Sequence, residues 1–506
     1  MKLGQLLEGI DSINSSGDFR EEVTTVCYSA DQCREDSLFV AIPGLKYDGH
    51  DFISEAIARG AKYIVHEKDI RFSPPVKGIK VAGSRRALGI LARNYFGNPS
   101  AQLVLIAVIG TNGKTTITYL LESILRAAGF NCGVLGTVNY RFNNKTYPAP
   151  NTTPESYELQ RILREMADDG VTHVLAEVSS HAIDLKRVDD CDFDLGIFTN
   201  LTRDHLDYHG TMENYFQAKK RFFSEVLPQS RKSHHSKMVI NNDDQWGRII
   251  LHDSPLPALA YGIESNCDIK ADDYELSLSG ITARLNISGE IFSVSSGLIG
   301  KFNLYNILAA LGAASILRIP QALMKSGIEN LSCVPGRLES VKSNSGFHVF
   351  VDYAHTDDAL RRVLQNLAAL KKKRIITVFG CGGNRDRGKR PLMGEAAVSY
   401  SDLTIVTSDN PRQEDPAAII REIEAGIDQK KIRKIEIDQP EVMNNAHSYT
   451  VIPDREKAIR AAIKIASADD IVLIAGKGHE DYQIMGTKKM PFDDRLVAAS
   501  ALKMKG

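Results

Sequence analysis

The chain is 506 residues long, enough for about three domains at the usual ~100–200 residues apiece, each with its own core. Hydrophobic residues make up 43% and charged residues 25%, which excludes wholesale disorder. Lysine plus arginine (62) balances aspartate plus glutamate (63), a formal net charge of −1, so no phosphate-neutralising nucleic-acid surface is expected. The longest apolar runs fall far short of the ~20 residues that span a bilayer, and no apolar signal segment opens the chain. Seven cysteines, scattered and never in CxxC spacing, fit a reducing compartment. These features together lead us to expect a cytoplasmic protein without a membrane partner.

In chain order, residues 38–42 and 63–66 read as short buried strands of a small mixed domain, with a helix over 52–59 closed by Gly60. Asn98-Pro99-Ser100 is turn chemistry and a boundary. A second unit opens with the apolar strand 103–109, then Gly110-Thr111-Asn112-Gly113-Lys114-Thr115-Thr116, then a helix with Ile117, Leu120, Leu121, Ile124 and Leu125 on one face. The apolar runs 174–176 and 195–198 end in polar clusters, and a helix over 303–317 closes the unit before the turn Val334-Pro335-Gly336. The basic stretch 229–237 reads as a solvated loop.

The last third repeats a pattern of strand followed by polar loop. Strands ending near Val351, Phe379, Thr407 and Ala475 lead to Asp352-Tyr353-Ala354-His355, Gly380–Arg385, Ser408–Arg412 and Gly476–Glu480. This predicts a doubly wound parallel sheet, with ligands outside the carboxyl ends of its strands. The fold class is thus α/β in three domains, bounded at 1–101, 102–335 and 336–506.

The glycine turn 110–116 is the strongest local signal. Its backbone N–H groups and the following helix N-terminus suit phosphate, Lys114 suits β/γ-phosphates and Thr115 suits Mg²⁺. Val108 stands where the usual nucleotide loop has its first glycine, so the match is partial. Glu177-Val178-Ser179-Ser180-His181 reads either as ligand chemistry at a strand end or as plain helix capping. The cluster Thr199–Asp207, with His205 among carboxylates, suits a hard cation or is a satisfied polar loop. Lys219 reads on its own as an exposed helix lysine. Arg385 and Arg412 can grip carboxylates while Asp409 and Glu480 accept from an ammonium, which points to an amino-acid ligand; surface ion pairs are the plainer reading of each alone.

Taken together, these stretches resemble the Mur ligase family of peptidoglycan synthesis over nearly the whole chain. The matches include 110–116, Asn151-Thr152-Thr153-Pro154, 177–181, 199–207, 215–219, 300–306, Pro335-Gly336-Arg337-Leu338-Glu339, 352–355, Asp409-Asn410-Pro411-Arg412 and 476–480. The resemblance implies an N-terminal UDP-sugar (uridine)-binding domain, a central P-loop-type ATPase domain with a parallel sheet, and a C-terminal Rossmann-like amino-acid-binding domain. It implies a ligase, with ATP and Mg²⁺, that adds meso-diaminopimelate to UDP-N-acetylmuramoyl-L-alanyl-D-glutamate through an acyl phosphate. A monomer is expected. Lys114, Glu177, His205 and Lys219 are the implied catalytic set, with Lys219 carbamylated and Thr115, Glu177, His205 and Lys219 serving the metal. ATP contacts are implied for Gly110, Thr111, Asn112, Gly113, Lys114, Thr115, Thr116, Asn303, Asn306, Arg337, Asp352 and His355.

The implied contacts to the UDP-sugar dipeptide are Ser29, Leu45, Lys46, Tyr47, Asn151, Thr152, Thr153, Ser179 and Arg187. Those to the amino acid are Arg385, Asp409, Asn410, Pro411, Arg412, Gly476 and Glu480. The chain departs from the family's usual Asp-Ser-Arg with Tyr28-Ser29-Ala30, and from its glutamine two positions before Arg187 with Leu185. The competing readings are a lysine-adding or folylpolyglutamate synthase-like ligase, and a P-loop kinase or NTPase without ligase activity.

Overall fold

Alternating apolar strands and amphipathic helices build three large sheets and a two-stranded ribbon in the computed structural model, which describes residues 1–15, 20–44, 47–342, 345–436 and 447–505. The N-terminal sheet runs in the order Ser12–Ser15, Lys77–Val81, Ala61–His66, Ser37–Val40, Val26–Cys27. Its neighbours are parallel except the first pair. The helix Ser84–Tyr95 sets Ala87, Leu88 and Leu91 into a core with Leu38, Val40, Tyr63 and Val65.

The central sheet has eleven strands. It is parallel from Cys132–Leu135 through His173–Glu177, Val104–Ile109, Leu195–Phe198, Lys237–Asn241 and Ala258–Gly262 to Ile269–Ser277. Val104–Ile109 is apolar throughout because helices cover both of its faces. Lys114–Ala127 and Lys301–Ile316 pack on one side, and Ser156–Asp168 and Met212–Arg221 on the other.

Three features of this unit differ from the sequence expectation. Antiparallel hairpins extend both ends of the sheet, Gly280–Ile287 with Glu290–Ser296 at one and Asn139–Phe142 with Lys145–Pro148 at the other. Gly280–Ile287 alternates buried and exposed residues, so only half of its residues carry an apolar signal. A further helix, Gln321–Asn330, follows the one expected at 303–317 and is tied down where Ser123 Oγ donates to Gly327 O at 2.6 Å. The basic stretch 229–237 is only partly solvated: Arg231, His234, His235 and Lys237 are exposed, but Ser230 and Ser236 are buried, and Lys232 Nζ donates to Ser100 O at 2.8 Å and Asp194 Oδ2 at 2.8 Å. Its charge satisfies carbonyl and carboxylate groups under the first strand of the central sheet.

The C-terminal sheet is the expected doubly wound one. Its order is Glu339–Ser340, His348–Asp352, Ile471–Ala475, Ile375–Phe379, Leu403–Val406, Ser448–Val451, Arg433–Lys434, parallel apart from the first pair. Asp357–Leu370, Lys389–Tyr400 and Pro416–Glu424 cover one face, Arg455–Ile465 and Asp494–Lys505 the other. The ribbon Tyr482–Met485 with Lys488–Pro491 stands at the carboxyl end of the sheet.

Polar and aromatic contacts join the first unit to the second. Arg86 pairs with Asp190, Arg85 Nη1 lies 2.9 Å from Glu155, and Tyr157 packs on Tyr28 and Phe96. Ile299 and Phe302 of the central unit enter the core of the last one, and Lys301 N donates to Asn366 Oδ1 at 3.0 Å. Among the described residues, no helix is long and apolar enough to cross a membrane.

Candidate active site

The chemistry gathers where the strands of the central sheet end. Val104–Ile109 lies between His173–Glu177 and Leu195–Phe198, so the loop after it meets Glu177 on one side and Thr199 on the other. Gly110 and Gly113 are required there. A Cβ at Gly110 would fall 1.8 Å from Thr199 Oγ1; Gly113 has φ +90° and its Cβ would fall 2.4 Å from Asn306 Oδ1. The loop is held from outside, with Thr111 N donating to Asn200 O at 2.9 Å and Thr199 Oγ1 to Asn112 O at 2.6 Å. Lys114 opens the helix, and its ammonium donates to Gly110 O at 2.9 Å and Thr111 O at 3.0 Å. Burial lowers the pKa of Lys114 and Arg337 adds to this, against the opposite pull of Glu177 and Asp204.

Glu177 is buried and ringed by donors. Thr115 Oγ1 lies 3.2 Å and Thr137 Oγ1 2.8 Å from Oε2, and Thr137 N donates to Oε1 at 3.1 Å. Thr115 and Glu177 thus present a hydroxyl and a carboxylate side by side at a helix start, a hard oxygen donor set suited to Mg²⁺. Among the described residues no group of three or more His, Cys, Asp or Glu could hold a metal by itself.

Lys219 is 1% exposed, which removes the plain reading of an exposed helix lysine. It sits on Met212–Arg221 with Nζ 4.4 Å from the centre of the Tyr215 ring. Burial pushes its pKa well below the ordinary lysine value and Lys114 pushes the same way. Burial thus favours the uncharged form of this amine, the form that is a nucleophile. His205 belongs to a ring cluster with His181 at 4.9 Å and Tyr215 at 6.1 Å. Desolvation within this cluster lowers its pKa, with His181, Lys114 and Lys219 adding to the shift and Asp204 opposing it, while 46% of the side chain remains exposed.

The last unit reaches this loop through Arg337, whose Nη2 lies 3.3 Å from Thr115 Oγ1 and whose guanidinium lies 5.1 Å from the centre of the Tyr353 ring. Asp352 is buried and accepts from Leu338 N at 2.7 Å and Ala354 N at 2.8 Å, which fixes the turn carrying Arg337. His355 Nδ1 lies 2.9 Å from Tyr353 O. Asn303 and Asn306 are buried; Asn306 Nδ2 donates to Asn303 Oδ1 at 3.0 Å, beside Gly113.

A cleft of about 1400 Å³ opens between the two units. Its central wall includes Asn151, Thr152 and His205, and its far wall His355, Arg385, Asp409, Asn410, Arg412, Gly476 and Glu480. Arg385 and Arg412 flank Gly382, and Arg412 Nη1 donates to Gly383 O at 2.9 Å. The ribbon braces this wall: Arg412 N donates to Ile484 O at 3.1 Å and Ile484 N to Asn410 Oδ1 at 2.9 Å. Cations for carboxylates and carboxylates for an amine therefore share one wall, opposite the phosphate-loop unit.

Other sequence-derived residues lie away from these walls. Pro411 is buried with its carbonyl against Gly383. Thr153 donates to Glu177 O at 2.9 Å, Ser179 N donates to Thr153 Oγ1 at 3.0 Å, and Arg187 Nη1 donates to Thr153 O at 3.2 Å, so these three brace one another beside the cleft. Ser29 bonds Asp31 in the first unit, and Tyr47 is 73% exposed. Leu45 and Lys46 lie outside the described residues. Sequence reasoning missed Thr137, Lys477 and His479. The last two stand inside the Gly476–Glu480 stretch, where only the flanking residues were singled out; Thr137 follows a glycine with no motif of its own.

Comparison with known proteins identifies the family. The pattern described as the Mur ligase middle domain matches residues 108–314, that of the Mur ligase glutamate ligase domain 336–478, and that of the Mur ligase catalytic domain 22–96. The UDP-N-acetylmuramoyl-L-alanyl-D-glutamate–2,6-diaminopimelate ligase of Geobacter sulfurreducens is 45% identical over 503 residues, 99% of either chain. That of Geobacillus thermodenitrificans is 44% identical over 92% of either chain. A solved structure with the same description is 32% identical with a TM-score of 0.70, covering 100% of this chain and 99% of that one. The MurF ligase of Thermotoga maritima, solved with ADP, shares the fold at 20% identity and a TM-score of 0.59, over 95% of this chain and 96% of that one. Domain patterns along most of the chain and relatives matched end to end lead to one conclusion: the chain belongs to the Mur ligase family.

Proposed function

We propose that this ligase joins meso-diaminopimelate to the D-glutamyl γ-carboxylate of UDP-N-acetylmuramoyl-L-alanyl-D-glutamate at the expense of ATP, forming ADP and phosphate. One observation carries the reading: a single cleft has Asn151, Thr152 and His205 of the central unit on one side and the Asp409, Asn410, Arg412 and Glu480 wall on the other. The full-length relatives that carry this name support it. The unit bounds 1–101, 102–335 and 336–506 belong to the same proposal, supported by a separate large sheet within each. So do a cytoplasmic location and a monomeric state, for an enzyme whose substrates are soluble.

In this reading Lys114 and the backbone of 110–113 hold the transferring phosphates, and Arg337 neutralises charge from the other side. Thr115 and Glu177 would hold Mg²⁺, which when bound supplies neutralisation of phosphate charge. The Lys219 amine, on adding CO₂ with loss of one proton, would become an anionic carbamate; together with His205 and Glu177 it would hold a second ion. Asn151, Thr152, Thr153, Ser179 and Arg187 orient the dipeptide, with Ser29 and the 45–47 stretch toward the uridine end. Arg385 and Arg412 clamp the carboxylates of diaminopimelate while Asp409 and Glu480 hold its ammonium. The free amine is then aimed at the acyl phosphate, and positioning does most of the work.

The test is phosphate release by the full chain with ATP and Mg²⁺, omitting the UDP-sugar dipeptide and then the amino acid. Strict dependence on both is expected, with diaminopimelate preferred to lysine. Release without an amine would indicate a nucleotide hydrolase or kinase; preference for lysine would indicate the other ligase class.

A further inference from the structure

We propose that Lys477 is a positioning residue of the amino-acid pocket, holding Asp409, Asn410 and Glu480 in the arrangement that receives the ammonium of the incoming amino acid. The inference rests on the function proposed above and deepens it. Lys477 follows the strand Ile471–Ala475 by one glycine and is fully buried. Its ammonium lies 3.0 Å from Glu480 Oε2, 3.3 Å from Asn410 Oδ1 and 3.8 Å from Asp409 Oδ1, with the Tyr482 ring centre at 5.4 Å. All four of these partners line the cleft and Lys477 does not, so it stands behind the wall.

Three consequences follow from that placement. Asn410 Oδ1 accepts from both Lys477 and Ile484 N, so its amide is locked with Nδ2 donating to Glu480 Oε2 at 2.9 Å. Both bonds to Glu480 fall on Oε2, which leaves Oε1 to a ligand amine. Without the ammonium, Asp409 and Glu480 would lose their shared counter-charge and the contacts that orient them. Lys477 thus keeps the wall correctly oriented without touching the ligand.

The experiment compares the full-length wild type with Lys477→Met, Glu480→Gln and the double variant. The readouts are KM for diaminopimelate, KM for ATP, kcat and ADP affinity. We expect Lys477→Met to raise KM for diaminopimelate by ~10- to 100-fold, as for loss of a charged hydrogen-bond network. KM for ATP and ADP affinity should stay within ~2-fold, since Lys477 bonds none of the residues proposed to hold ATP. The double variant should be little worse than Glu480→Gln alone, because Lys477 acts through that residue. An unchanged KM for diaminopimelate, fully additive losses, or a parallel rise in both KM values would overturn the role. Should Lys477→Met be insoluble, Lys477→Gln, which keeps a donor without the charge, enters the same cycle. A wild type that releases phosphate without diaminopimelate would sink the proposed function; dependence on diaminopimelate with an indifferent Lys477→Met would sink only this role.

Discussion

Arg412→Ala is the perturbation that most directly tests how the amine is chosen. Diaminopimelate carries one carboxylate that lysine lacks, and the Arg412 side chain lines the cleft beside Arg385. The backbone should survive the change. Arg412 has φ +52°, a conformation as unfavourable for arginine as for alanine, so no new strain enters. Its backbone bonds to the ribbon, N to Ile484 O at 3.1 Å and O from Gly486 N at 2.7 Å, do not involve the side chain. What is lost within the protein is one donation to Gly383 O. What is lost to the ligand is a charged hydrogen bond worth ~1.5–3 kcal/mol, or ~10- to 150-fold in affinity. Steady-state kinetics with diaminopimelate and lysine in parallel should therefore show kcat/KM for diaminopimelate falling by about that factor, with lysine scarcely affected and KM for ATP intact. Equal losses for the two amines, or none for diaminopimelate, would refute the idea that Arg412 reads the extra carboxylate.

Gly113→Ala places a side chain at φ +90° and 2.4 Å from Asn306 Oδ1; calorimetry should show ADP affinity falling by ~10-fold or more, and Asn306→Ala should not restore it because the backbone strain remains. Lys219→Ala should lower kcat by ~100-fold or more while ADP still binds; with ¹³C-bicarbonate, NMR should show a carbamate signal in the wild type that the variant lacks, and an active wild type without it would disprove the modification. His479 should make the fold acid-sensitive, because burial, with Arg337 and Arg495, lowers its pKa to about 4 from 6.5. The unfolded chain takes up this proton first, so the contribution is complete above pH 6.5 and is lost as pH falls toward 4, by at most about 2 kcal/mol between pH 7 and 5. Urea midpoints of wild type and His479→Gln at the two pH values check it; equal acid sensitivity in both would count against it.

Much of the fold was legible because it is written in continuous apolar strands. Val104–Ile109, Leu195–Phe198, Ile375–Phe379 and Ile471–Ala475 are buried along their length save for half-buried Val104, and such runs followed by polar loops announce parallel sheets. The hairpins at the ends of the central sheet were not legible, because a strand solvated on one face dilutes its apolar signal with polar residues. Local chemistry disclosed the phosphate loop and the charged loops of the last unit. It could not disclose Lys219: a lysine in Tyr-Phe-Gln-Ala-Lys reads as exposed, and only the packing of the helix against its neighbours buries it. The same holds for Lys477, whose burial depends on a ribbon that returns after it in the chain. Side chains whose role depends on long-range burial carry no local mark.

The bonds that tie the central unit to the last explain why turnover should need every reactant. Thr202 Oγ1 donates to Asp358 at 2.8 Å, Lys301 N to Asn366 at 3.0 Å, and Arg337 to Thr115 at 3.3 Å. Hydrogen bonds of this kind are worth ~0.5–1.5 kcal/mol each, little against the freedom a hinged unit would regain. A reactant that touches both walls adds charged contacts at each end, so the free energy that fixes their separation resides largely in the reactants. In the proposed function the phosphate end belongs to the Lys114 side and the amine end to the Glu480 side. Neither alone can hold carbonyl carbon and nitrogen at the ~3–3.5 Å from which attack proceeds. A nucleotide bound without an amine therefore leaves the acyl phosphate unattacked, and an amine bound without nucleotide has no activated carbonyl to meet.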